Sequence, residues 1–144
     1  MELKAKLFGE LSTRELYALL QLRVNVFVVE QRCPYPELDG RDQGALHVWL
    51  EDEEGIEAYL RIMDKGVVCD HVAIGRVIAV KRRQGLGSRI LQAGVRLARE
   101  RFGPGPIYLE AQVYARGLYE KQGFRQVSEP FLDDGIPHIQ MLLD

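Results

Sequence analysis

Leu3, Ala5 and Leu7 alternate with Lys4 and Lys6 over residues 3 to 8, the two-residue period of a half-buried strand. The period then changes. Leu16, Leu19, Leu20, Val24, Phe27 and Val28 recur at helical spacing behind the capping box Ser12-Thr13-Arg14-Glu15, which predicts a first helix running to about residue 29. From Glu30 to Gly44 the periodicity fades and Pro34, Pro36, Gly40 and Gly44 appear, so a long ordered loop is expected. Leu46 to Glu51 and Ile56 to Met63 read as strands joined by Asp52-Glu53-Glu54-Gly55, an acidic run expected to be a solvated hairpin tip. Val72 to Val80 is rich in β-branched residues and apolar on both faces near its end, as a central strand should be. Gly87, Leu91, Gly94, Ala98 and Phe102 then form one helical stripe, with Arg89, Gln92, Arg96 and Arg99 on the other side, and Gly103-Pro104-Gly105-Pro106 stops it. Ile107 to Ala111 is a strand and Ala115 to Gln122 a short helix ended by Gly123. Phe124 to Ser128 and Ile136 to Leu143 close the chain as a pair of strands.

This order predicts an α+β protein built on a mixed sheet, in which the βαβ unit 72 to 111 supplies a parallel pair with a right-handed crossover. The 144 residues fit one domain, and 47% hydrophobic with 28% charged residues is ordinary globular composition. A net charge of −2 argues against a general nucleic-acid binder. Cys33 and Cys69 lack zinc or redox spacing, which fits two reduced thiols. No secretory core and no apolar run of membrane length is present, so a soluble cytoplasmic protein is expected.

The candidate chemistry begins where the strand ending in Val77-Ile78-Ala79-Val80 meets Arg82-Arg83-Gln84-Gly85-Leu86-Gly87. A strand feeding a glycine-spaced turn and a helix N-terminus leaves convergent backbone N–H groups, which suit a phosphate or pyrophosphate. A Walker-type loop is excluded because Gly87 is followed by Ser88-Arg89 without lysine, and the Rossmann fingerprint lacks its third glycine. What remains, Arg-x-x-Gly-x-Gly, resembles the coenzyme A pyrophosphate loop of the GNAT acyltransferase superfamily. Downstream, Tyr119, Gly123 and Phe124 form the Tyr-x-x-x-Gly-Phe segment typical of the same proteins. Longer peptides, among them Phe27-Val28-Val29-Glu30-Gln31, Cys33-Pro34-Tyr35 and Asp134-Gly135-Ile136-Pro137-His138-Ile139, look like the ElaA-type subfamily.

The resemblance implies one GNAT N-acetyltransferase domain over residues 1 to 144. Its fold would be a mostly antiparallel sheet of about seven strands flanked by helices, with a splayed parallel pair forming the acyl-CoA cleft. It implies acetyl-CoA as cosubstrate, no metal, an amine of a small molecule or peptide as acceptor, and a possible homodimer. By the same resemblance the backbone at Ile78, Ala79 and Val80 holds the pantetheine arm and thioester, with Ile78 and Val80 as the bonding positions. Arg82, Arg83, Gln84, Gly85, Leu86, Gly87 and Ser88 hold the pyrophosphate, and Tyr119 is the general acid beside the sulfur.

Many GNAT enzymes carry a glutamate on or beside the strand before the loop, where this chain has Gly75, Arg76 and Val77. Glu110, on the neighbouring strand, is the best substitute as base, with His71, His47 and His138 behind it; a pairing of Glu110 with Arg76 is the competing structural reading. For the acceptor, Glu30, Asp39 and Asp42 with Asp133 and Asp134 would make an acidic mouth, while Tyr35 and His138 would shape the pocket. Asp39-Gly40 and Asp133-Asp134-Gly135 equally suit turns. The alternative function is an acyl-CoA-binding module without turnover.

Overall fold

The alternating N-terminal residues form β1 (Glu2–Leu7), and the capping box opens α1 (Thr13–Val24). The Ser12 hydroxyl accepts from the Glu15 N–H at 3.1 Å, and the Glu15 carboxylate accepts from the Ser12 N–H at 2.8 Å. Past Val24 the helix widens into a π-helical turn, Asn25–Glu30. After the loop come β2 (Leu46–Asp52), β3 (Gly55–Met63), β4 (Val72–Ala79), α2 (Leu86–Phe102) and β5 (Ile107–Gln112). The chain ends with α3 (Arg116–Glu120), β6 (Arg125–Gln126), β7 (Phe131–Asp133) and β8 (Ile136–Leu143). This computed structural model describes residues 1–80 and 84–144.

The sheet runs in the order β1-β2-β3-β4-β5-β8-β6, with β7 paired to β8, and its parallel contact is β4 on β5. Eight strands are thus seen among the described residues, where about seven were expected. The extra one, β7, is three residues long and too short to leave a periodic signal.

Two layers cover the sheet. On one face, Leu86, Ile90, Leu91, Leu97 and Ala98 of α2 pack on Leu46, Val48, Leu60, Ile62, Val72 and Ile74. Gly94 allows that approach, because a Cβ there would lie 2.6 Å from Leu60 Cδ2. On the other face, Leu19 of α1 joins Trp49, Tyr59 and Ile78. Fully burying each such side chain contributes about 1.5–3 kcal/mol.

The feature that shapes the site is an irregularity in β4. Its register against β3 shifts between Tyr59 and Arg61, opposite Arg76, which has a left-handed φ of 55°. Val72 and Ile74 face α2, and a regular strand would keep Ile78 on that side. Instead Ile78 lies in the α1 core while Val77 and Ala79 pack toward α2. One extra residue has been inserted, the signature of a β-bulge, which bends its strand. Next to the bulge β4 has already left β5: the two pair only at Val72↔Ile107 and Ala73↔Tyr108.

Candidate active site

The parting of β4 and β5 opens a cleft of about 900 Å³. Its walls are the edge of β4 from Ala73 to Val80, the cleft face of β5, the π-helical turn, the loop around Tyr35, the β7–β8 turn and α3. The edge of a strand that has lost its neighbour carries unpaired N–H and C=O groups, a template for another extended chain. Which residues present them follows from alternation. The Val80 N–H donates to the Glu57 carbonyl at 2.8 Å, toward β3. Ile78, two residues earlier in uninterrupted register, faces the same way, so Val77 and Ala79 direct their backbone groups into the cleft. The expectation that Ile78 and Val80 are the bonding positions is therefore corrected by one residue: the bulge at Arg76 decides the parity.

At the end of that edge, α2 starts at the cleft. Gly85, its N-cap, has φ 70°, and no side chain among the described residues caps the helix. Gly87 lines the cleft, and a Cβ there would meet Leu118 Cδ2 at 3.3 Å. Gln84 is exposed, Gly87 and Ser88 are half-buried, and the Leu86 side chain is in the core, leaving only its backbone for a ligand. Arg82 and Arg83 lie outside the described residues. The open strand edge, the uncapped glycine-bearing helix start and the 900 Å³ space fit an acyl-CoA.

Tyr119 projects from α3 into the cleft wall, 8% exposed, edge-on to Phe124 at 6.2 Å between centroids. Burial, with a smaller contribution from the neighbouring Tyr114, holds its phenol well above the usual tyrosine range, so it stays protonated. Phe124 is 3% exposed and belongs to the core.

Glu110 lies on β5 and lines the cleft; its Oε2 accepts from the Tyr108 hydroxyl at 2.7 Å. Arg76, the partner considered for it, instead engages Glu37 and Asp39. The histidines separate. His47 is wholly buried on the α1 face, its Nε2 at 3.0 Å from the Asp42 carbonyl and its Nδ1 at 2.7 Å from the Tyr59 hydroxyl. Burial lowers its pKa despite the Asp42 contact, and it does not reach the cleft. His71 does not line the cleft but a smaller depression of about 480 Å³ that shares Tyr108 and Glu110 with it. His138 does line the cleft, stacked on Phe131 at 6.1 Å, with Nδ1 at 2.7 Å from the Ile136 carbonyl. A carbonyl only accepts, so Nδ1 bears the proton and Nε2 the lone pair in the neutral ring.

The acceptor side differs most from the sequence reading. Asp39 and Asp42 do not form a mouth. Asp42 accepts from Arg23 at 2.6 Å and from Arg61 at 3.0 Å, and Asp39 is bound by Arg61. Glu37 takes two further bonds from Arg23, at 2.6 and 2.9 Å. Burial pushes both aspartates up, but the Arg61 and Arg23 guanidinium groups outweigh it and hold the carboxyls below the usual range. Three guanidinium groups, Arg23, Arg61 and Arg76, thus balance three carboxylates under the loop. Glu30, Tyr35, Asp133, Asp134 and His138 do line the cleft. Gln31 and Gln112 exchange amide hydrogen bonds at 3.4 and 3.2 Å, tying the end of the π-helical turn to β5. Gln31 falls in a peptide that carries the family resemblance, but nothing in the sequence linked it to Gln112, 81 residues away.

Comparison with known proteins places this architecture. Residues 17–144 match the family model described as "Acetyltransferase (GNAT) domain". A UPF0039 protein of Mycobacterium tuberculosis is 45% identical over 139 residues, covering 92% of this chain and 86% of the relative. Protein ElaA of Escherichia coli is 41% identical over 139 residues, covering 92% and 90%. The crystal structure of Escherichia coli ElaA superposes with a TM-score of 0.93 over 99% of each chain, at 36% identity in that alignment. An acyl-CoA N-acyltransferase from Pseudomonas aeruginosa does so with the same TM-score over 100% of each, at 38% identity. A splayed β4–β5 pair, a glycine-bearing helix start at its mouth and matches of this length lead to one conclusion: the chain belongs to the GNAT acetyltransferase family, in its ElaA-type branch.

Proposed function

We propose that the protein is an acetyl-CoA-dependent N-acetyltransferase that moves an acetyl group from the CoA thioester to an amine of a small molecule or peptide, by direct attack with both substrates bound. The observation that carries this reading is the open β4 edge past Ala73, leading to the start of α2 and passing Tyr119. Acyl-CoA supplies an activated carbonyl and a thiolate leaving group.

The chain's own residues do the rest. Backbone groups of Val77 and Ala79 align the pantetheine arm and donate to the carbonyl oxygen as charge builds there. The backbone from Gln84 to Ser88, at the positive end of α2, holds the pyrophosphate. The Tyr119 hydroxyl, protonated throughout the neutral range, gives its proton to the departing sulfur. A free amine has a pKa of about 10.4, so a base must take its proton. Glu110, with Tyr108 bonded to one oxygen and the other available, is assigned that role, and His138 Nε2 is the second basic atom on the cleft. Glu30, Tyr35 and His138, with Asp133 and Asp134, contact the acceptor; Asp39 drops out because Arg61 holds it.

The test is amine-dependent release of free CoA thiol from acetyl-CoA across a panel of primary amines. Turnover with at least one amine, reduced in Glu110→Gln with a flattened acid limb, supports the reading. An unchanged pH–rate profile in Glu110→Gln removes Glu110 as base. Acetyl-CoA binding without turnover on any amine supports the other reading, an acyl-CoA-binding module, which the absence of a carboxylate at Gly75, Arg76 and Val77 favours.

A further inference from the structure

Arg76 is the bulge residue of β4, just past the point where β4 and β5 part, and its side chain does something its backbone position does not require. The guanidinium donates to the Glu37 carbonyl at 3.0 Å, and its Nε lies 2.7 Å from Glu37 Oε1, an ion-pair contact outside hydrogen-bond geometry. It also lies 3.5 Å from Asp39 Oδ2 and sits over the Tyr35 ring at 5.6 Å. The Tyr35 hydroxyl donates to the same Glu37 oxygen at 2.7 Å. Arg76 and Tyr35 both line the cleft. The loop between the π-helical turn and β2 contains only one 3-10 turn, Asp42–Gly44, so side chains rather than a backbone ladder hold it. From these contacts we propose that Arg76 is a positioning residue: it locks the Tyr35 wall of the acceptor site to the bulge that sets the thioester edge of β4.

The lock rests on the acyl-transfer reading and has a chemical logic of its own. A left-handed φ is uncommon in residues other than glycine, asparagine and aspartate, and the 55° at Arg76 belongs to the bulge, a backbone feature that lysine can follow as arginine does. The side chain meets two faces of one loop residue, its carbonyl and its carboxylate, together with an aromatic ring. A planar fork that also stacks can meet all of them; an ammonium cannot. Arg76 thereby ties the acetyl group's strand to the acceptor's wall, while Arg23 and Arg61 hold the same loop to α1 and β3. The acceptor's pose depends on the Arg76 side chain, whose contacts go to the loop; the acyl-CoA site depends on the backbone of β4 and α2, which Arg76→Lys leaves in place.

The experiment compares wild type with Arg76→Lys and, should that variant not fold, with Tyr35→Phe, which keeps the ring in the acceptor wall and removes only the hydroxyl's bond to Glu37. Three quantities are read: amide hydrogen exchange over residues 33–41, the acetyl-CoA dissociation constant, and KM and kcat for the panel amine that wild type uses fastest. The expected result is exchange about tenfold faster in 33–41 and an amine KM raised about fivefold or more, with acetyl-CoA affinity within about twofold of wild type. A merely structural role would lower melting temperature without separating the two substrates. Unchanged exchange in 33–41, or an acetyl-CoA affinity that falls as far as KM rises, overturns the proposal. If wild type uses no amine, the catalytic reading fails on its own, and the exchange and acetyl-CoA measurements still decide the lock.

Discussion

Replacing Arg23 by methionine tests whether the buried charges under the acceptor loop act as one unit. Arg23 is 0% exposed and gives its guanidinium to Glu37 Oε2, the Glu37 carbonyl and Asp42 Oδ1. Methionine keeps much of the apolar stem and removes the charge, so three positive and three negative groups become two and three. The orphaned carboxylates are not stripped bare: Glu37 retains Tyr35 and Arg76, and Asp42 retains Arg61 at 3.0 Å. Removing one partner from a buried pair costs about 3–5 kcal/mol. With an unfolding entropy of about 0.3 kcal/mol/K for 144 residues, that is a fall in melting temperature of about 10–17 °C. Urea unfolding at several pH values gives a sharper signature. The Asp42 carboxyl is held low in the folded protein, so its contribution is present above the unfolded value of about 3.9 and is lost as pH falls through the folded one. The gap between variant and wild type is therefore widest near neutral pH and narrows below about pH 4. A gap under about 1 kcal/mol at pH 7, or one constant from pH 7 to 3, would refute the reasoning.

Three further outcomes follow from named contacts. Gly94→Val drives a branched side chain into Leu60, already 2.6 Å from a Cβ, and should cost about 1–3 kcal/mol by chemical denaturation; no loss would mean that α2 sits farther from β3. His47 is held neutral by burial, with a folded pKa below the unfolded value of about 6.5. The unfolded chain binds the extra proton, so stability is complete above that pH and declines as pH falls below it; His47→Gln should flatten this decline between about pH 6.5 and 5, and parallel curves would count against it. Tyr119→Phe should retain the fold and acetyl-CoA binding but slow thiol release about 100-fold or more in single-turnover measurements; an undiminished rate removes Tyr119 as the acid.

The elements with strong periods were legible in the sequence. Ser12 and Glu15 announced α1, the Gly87–Phe102 stripe announced α2, and the glycine spacing with Tyr119-x-x-x-Gly123-Phe124 pointed to the cleft and the family. What escaped was set by interactions between distant residues. The bulge at Arg76 leaves no compositional mark, yet it shifts the free backbone groups from Ile78 and Val80 to Val77 and Ala79. Asp39 and Asp42 looked like solvent-facing acids because their partners, Arg61 and Arg23, lie 22 and 19 residues away. His47 looked available for the same reason, since strand alternation could not say that its face was covered by α1 and the loop. The first helix read as continuous to residue 29 because the switch to π geometry after Val24 preserves most of the apolar stripe.

No helix among the described residues is long and apolar enough to cross a membrane. The proposed function is built around the cleft, and the cleft's content is open to direct measurement. Acetyl-CoA titrated into the protein, with thermal unfolding as readout and desulfo-CoA and nucleotide-only ligands as controls, tests it most directly. At about 100 times its dissociation constant, acetyl-CoA should stabilise the fold by about 2.7 kcal/mol, a rise of several degrees for this chain length. Adenine nucleotide alone should give less, because it leaves the β4 edge unfilled. No shift with acetyl-CoA in folded protein would contradict the account at its base: the open edge of β4 and the start of α2 would then not be a coenzyme A site.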